Sequence, residues 1–118
     1  MALTVSITSQ SATIQTGSKV VSGSIVGVNQ IDQISAVTLA SGDNTIAVPA
    51  GVVGCMIQPP VANALNLTLK GAGADTGIRI SKTGPMLLNF DTSALPASII
   101  VNSSGAMAAG TFLTVSWF

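Results

Sequence analysis

Residues 39–69, LASGDNTIAVPAGVVGCMIQPPVANALNLTL, decide the fold class. Apolar residues alternate with small or polar ones at Thr45-Ile46-Ala47-Val48 and again at Leu65-Asn66-Leu67-Thr68-Leu69. An alternation of period two is the mark of a strand with one buried face. Between these segments runs a nearly continuous apolar stretch, Val52 to Ile57. Such a run fits a strand lying inside the fold with both faces covered. Ser41-Gly42-Asp43-Asn44, Pro49-Ala50-Gly51 and Pro59-Pro60 carry turn chemistry. Short strands broken by turns, with the most apolar strand central, predict an antiparallel β-sandwich.

On the C-terminal side the same grammar continues. Gly71 to Gly77 reads as a loop. Ile78 and Ile80 are expected to point inward, Arg79 and Ser81 outward. Thr83-Gly84-Pro85 is a turn. Met86, Leu88 and Phe90 share one face of the next strand, with Leu87 and Asn89 opposite. Asp91 to Ala97 is a loop, Ser98 to Asn102 a strand, and Ser103 to Gly110 a loop of small residues. Thr111 to Phe118 closes the chain, with Leu113, Val115 and Trp117 on one face. No helical period of useful length occurs; Ala106-Met107-Ala108-Ala109 is too short to hold a helix.

Toward the N-terminus, Ile31 to Ala40 begins the compact body, with Ser35, Val37 and Leu39 on one face and Ile34, Ala36 and Thr38 on the other. Residues 1–30 differ, being rich in Ser, Thr, Gln and Gly. Leu3, Val5 and Ile7 alternate with polar residues; Ser9 to Ser18 is loosely structured, with a short strand near Ala12–Gln15; Lys19 to Val28 is a strand interrupted by Gly23 and Gly27, because glycine weakens a strand interior. The segment reads equally as an arm that adds to a neighbour's sheet edge or as the first edge strands of the sandwich. The organisation is therefore an extended N-terminal arm or edge strands over 1–30 and a sandwich domain over 31–118, all-β and of jelly-roll or Greek-key kind.

Composition narrows function. Charged residues make up 7% of the 118, against about 25% in an average soluble domain. The cations are Lys19, Lys70, Arg79 and Lys82, the anions Asp32, Asp43, Asp75 and Asp91, and they cancel. A free monomer so poor in charge is weakly solvated and has no net charge to keep copies apart. Much of its surface is thus expected to be covered by other protein, in a homo-oligomer, a trimer being one option. Zero net charge gives no basic footprint for nucleic acid and no attraction to acidic membranes. The charge-free run 44–69 is punctuated by Pro49, Gln58, Pro59, Pro60, Asn63 and Asn66, which a membrane helix would not tolerate. MALTVSITSQ lacks the basic and apolar regions of a signal peptide.

Chemistry is scarce. With no His, Glu or Tyr, no ready general base near neutrality exists. Ser81 and Lys82, adjacent on a strand, point to opposite faces and form no dyad. Cys55 has no partner for a disulfide and sits in an apolar strand, the place of a small core residue. Asp43 and Asp75, beside glycines, are expected to cap turns. Gly71 to Gly77 lacks the ending of a phosphate loop. Lys70, Arg79 and Lys82 surround one hairpin-like unit as a solvated rim or a contact for an acidic surface. Trp117, in an apolar strand, is a core residue rather than a sugar platform. No catalytic, cofactor-binding or metal-binding residue is assigned, and no cofactor is expected.

From Val37 to Phe118 the chain resembles the small β-sandwich proteins of tailed-bacteriophage virions. The likeness rests on LASGDNTIAVPAG at 39–51, an apolar strand ending QPP at 58–60, LTLKG at 67–71, DTGIRISKTGP at 75–85 and LTVSWF at 113–118. The resemblance implies a structural role and no enzymatic activity. The expected place is the virion, on the head surface, as a decoration or cement protein bound to the major capsid protein. The alternative is a tail or fibre module that binds a receptor or glycan.

Overall fold

A computed structural model describes the backbone of residues 6–16, 19–28 and 33–118, and side chains from residue 33 onward. The chain is all-β. β1 (Ser6–Thr16) and β2 (Lys19–Val28) pair antiparallel in a two-stranded sheet of their own. Two differences from the sequence reading appear here. β1 is one strand of 11 residues where a loose segment with a short strand was expected. β2 runs through Gly23 and Gly27 without a break, since each finds a partner on β1, at Ala12 and Ile7; the irregularity falls on β1 between Ile7 and Gln10. The expected alternation at Leu3 and Val5 lies outside the described residues.

The body holds eight strands in two four-stranded antiparallel sheets. β3 (Ile34–Val37), β10 (Leu113–Trp117), β5 (Gly54–Gln58) and β8 (Met86–Asn89) make the first, in that order. β4 (Gly42–Ala47), β9 (Ser98–Ser103), β6 (Leu67–Lys70) and β7 (Ile78–Ile80) make the second. Counting the body's strands from one to eight, the orders are 1-8-3-6 and 2-7-4-5. Every connection except the β6–β7 hairpin passes from one sheet to the other, which is jelly-roll topology.

The core lies between the sheets. The first sheet contributes Cys55, Ile57, Leu113, Val115 and Trp117, and the second Ile46, Leu67, Ile80, Ile99 and Val101, all buried. Met86, Leu88 and Phe90 pack against them from the β8 side. Trp117 is fully buried, and its Nε1 donates to Ser35 Oγ at 3.0 Å, so the indole's one polar group is satisfied inside. β5 is an inner strand of its sheet, but the expectation that both its faces are covered is not met: on its outer face Met56 is half-buried and Gln58 exposed. The last residue is held too. The Phe118 carbonyl accepts from Val53 at 2.7 Å and Gly54 at 3.1 Å, and its N–H donates to Gly54.

Three other expectations need correction. Ser41–Asn44 is not a free turn: β4 begins at Gly42 (φ +94), and the Asn44 side chain donates to the carbonyls of Ala40, Gly42 and Val101. Ile78 lies on the inward side of β7 but is 71% exposed, at the mouth of an opening it shares with Leu88 and Phe90. Ser81 and Lys82 follow β7 in a turn, where Ser81 Oγ accepts the Gly84 N–H at 2.8 Å. The loop at 91–97 contains a single 3-10 turn, Thr92–Ala94, which Asp91 starts by accepting from Ser93.

Candidate functional site

Strand parity and register place every side chain on an inner or an outer face. On the first sheet the outward residues are Ile34 and Ala36 of β3, Thr114 and Ser116 of β10, Met56 and Gln58 of β5, and Leu87 and Asn89 of β8. Register lines up Ile34, Ser116, Met56 and Leu87 as one row across all four strands. Beside it run Ala36, Thr114 and Gln58. Phe112, just ahead of β10, continues the outward series and is 46% exposed; Ile34 is 45% exposed. None of these side chains carries a charge.

The second sheet is the opposite. Its outer face bears the row Asp43, Asn102, Thr68, Arg79 and beside it Thr45, Ile100, Lys70. Lys70 Nζ lies 3.1 Å from both carboxylate oxygens of Asp43 and donates to the Gly73 carbonyl at 2.7 Å. Asn102 Nδ2 donates to Asp43 Oδ1 at 2.6 Å. These hydrogen bonds, Asn102's first and Lys70's next, hold the Asp43 carboxyl below its ordinary value. Asp43 therefore belongs to a strand and a three-residue network rather than capping a turn. Asp75 does cap one: its Oδ2 accepts from the Ala72 N–H at 2.7 Å.

A cleft of about 490 Å³ opens between the sheets on the side where β7 and β8 are the outermost strands. Leu69, Ile78, Leu88, Phe90, Pro96 and Ile99 supply its apolar wall, with Lys70 and Asp75 at its polar margin.

The residues weighed for catalysis do not meet. Cys55 is fully buried between the sheets, and burial pushes its thiol up to about 12. Lys70 is engaged by Asp43, Arg79 is exposed on β7, and Lys82 lies in the turn beyond it. Among the described residues no three His, Cys, Asp or Glu side chains gather at one point, and no helix is long and apolar enough to cross a membrane. Sequence reasoning missed the structural amides. Asn63 donates to the carbonyls of Leu65 and Lys82 and accepts from the Leu65 N–H, clipping the β5–β6 connection to the β7–β8 turn. An asparagine inside a polar loop gives no local sign of a partner 19 residues away. Comparison with protein families, with characterised proteins and with solved structures finds no match.

Proposed function

We propose that the chain is a non-enzymatic structural protein of a virion, a decoration or cement protein bound on the head where major capsid subunits meet. The observation that carries this reading is the uncharged outer face of the β3-β10-β5-β8 sheet, crossed by Ile34, Ser116, Met56 and Leu87. Apolar surface removed from water contributes about 25 cal/mol per Å². A few hundred Å² per contact, repeated over many copies on a shell, reinforces joints without any single strong bond. The jelly roll is compatible with this, since capsid domains use it, although lectins and cupins do too. The resemblance of 37–118 to phage virion sandwiches points the same way.

The test is co-sedimentation of the purified chain with tailed-phage capsid shells that lack it. Saturable binding in a fixed ratio to capsid subunits is expected, and Met56→Lys, which places a charge in the middle of the neutral face, should weaken it at least tenfold. Absence of binding to shells would overturn the reading.

The second reading, a tail or fibre module for a receptor or glycan, draws on the polar outer face of the other sheet, where Asp43, Asn102, Thr68 and Arg79 stand in one row. Trp117 cannot serve as a sugar platform while fully buried, so such a site would rest on hydrogen bonds. Glycan-array binding abolished by Arg79→Ala would favour it over the head location.

A further inference from the structure

We propose that the open edge of β8, with the cleft beside it, receives the β1–β2 hairpin of a second copy of this chain. Unpaired strand edges invite other strands unless charge, proline, bulges or shortness blunt them. β7 is three residues long and carries Arg79; β4 carries Asp43; β3 is uncharged, but none of its residues lines the cleft. β8, Met86-Leu87-Leu88-Asn89, has no charge, no proline and an unbroken register against β5. Its backbone is free to pair. The Phe90 N–H donates to Val53 of the β5 side at 2.8 Å. Successive N–H groups alternate along a strand, so those of Leu87 and Asn89 face away from β5, toward the open edge.

The cleft supplies room for side chains. Ile78 is an inward-facing isoleucine left 71% exposed at its rim, and Leu88 and Phe90 line its wall. A strand added to β8 sends alternate side chains into this gap between the sheets, where they would cover Ile78.

The hairpin is the matching occupant. An isolated two-stranded hairpin is at best marginally stable in water, and β1–β2 pairs with neither four-stranded sheet. β1, SITSQSATIQT, is free of charge along its whole length, like the edge it would meet. The hairpin belongs to a different copy because of reach. It leads into β3, and β3 and β8 are opposite edges of the same sheet. A place outside β8 lies four strand spacings from β3, about 19 Å. The six residue steps from Val28 to Ile34 span about 20 Å only when fully taut, so a chain's own hairpin has no slack to seat there. A neighbour's hairpin has no such limit.

The experiment uses the full chain. Light scattering after size exclusion should show an oligomer at tens of micromolar, and amide exchange at Leu87 and Asn89 should slow as protein concentration rises. Ile78→Lys puts a charge at the cleft, and Asn89→Pro removes one outward N–H while leaving the β5 ladder intact. Each should raise the dissociation constant about tenfold or more, with far-UV circular dichroism unchanged. Thr45→Lys, exposed on the outer face of β4 at the edge of the second sheet opposite β7, should leave assembly as it is. A monomeric wild type, concentration-independent exchange at both amides, or assembly indifferent to both variants would each overturn the proposal. Capsid binding is scored separately on the same proteins: a chain that fails here but still sediments with shells refutes the hairpin exchange and leaves the head role standing.

Discussion

The two sheets share one core and turn opposite surfaces outward. The first presents Ile34, Met56 and Leu87 in a row without charge; the second presents Asp43, Asn102 and Lys70, tied by hydrogen bonds of 2.6–3.1 Å, with Arg79 beside them. Among the described residues, Asp43, Lys70 and Arg79 lie on the second sheet, Asp75 and Lys82 beside its β7, and only Asp91 follows a strand of the first. Of the six charged residues among those described, five thus lie on or beside one sheet. On the reading proposed above, the neutral sheet is the one that meets another protein.

The largest effect expected from breaking this arrangement lies at Trp117, which anchors the neutral sheet from within. Trp117→Ala removes a fully buried indole and leaves Ser35 without its donor. A loss of about 3–5 kcal/mol is expected, measured by urea unfolding, a large fraction of an ordinary domain's stability. A loss under 1 kcal/mol would mean that the polar sheet carries the fold alone. Gly54→Ala comes next. A methyl there would overlap the Leu88 carbonyl and lie 2.9 Å from the Phe118 ring, so β8 must move off β5. About 1–3 kcal/mol is expected to be lost, as for other overpacked sites, together with the β8 edge geometry.

Alkali separates the sheets further. Cys55 on the neutral sheet has its thiol raised to about 12 by burial, while an unfolded thiol ionises near 8.5–9. Between these values the unfolded chain loses a proton that the native one keeps, so stability falls as pH rises. The slope approaches about 1.4 kcal/mol per pH unit. Unfolding at pH 8, 9, 10 and 11 checks it, and Cys55→Ala should flatten the alkaline limb.

How much of this was legible in the sequence follows from what alternation can encode. Leu113, Val115 and Trp117 read correctly because period two gives the side of the strand, and their sheet happened to be covered on that side. Ile78 obeyed the same period and was still misjudged. Parity tells which way a side chain points, not how closely the facing residues approach, and among the described residues Ile78 faces an open cleft. Asp43 was misplaced for a related reason. Ser-Gly-Asp-Asn looks like a turn locally, whereas its partners Lys70 and Asn102 lie 27 and 59 residues away, and only the strand order brings them together. The segregation of charge between sheets was invisible on the same ground: it needs the jelly-roll order, which alternation alone does not supply.

The smallest effect expected is acid sensitivity of the polar sheet. Asn102 and then Lys70 hold the Asp43 carboxyl below its unfolded value of 3.8. A depressed folded value means the network's contribution is complete above the unfolded pKa and is lost as pH falls through the lower folded one. Asp43→Asn should therefore flatten the acid limb of thermal stability between pH 5 and 2. Some slope should persist, because Asp91 is lowered in the same direction by its hydrogen bonds from Ser93. The double variant with Asp91→Asn should remove most of what is left. An unchanged acid limb in Asp43→Asn would show that the network orders the outer face without stabilising the fold, and the difference between the sheets would then be one of surface alone.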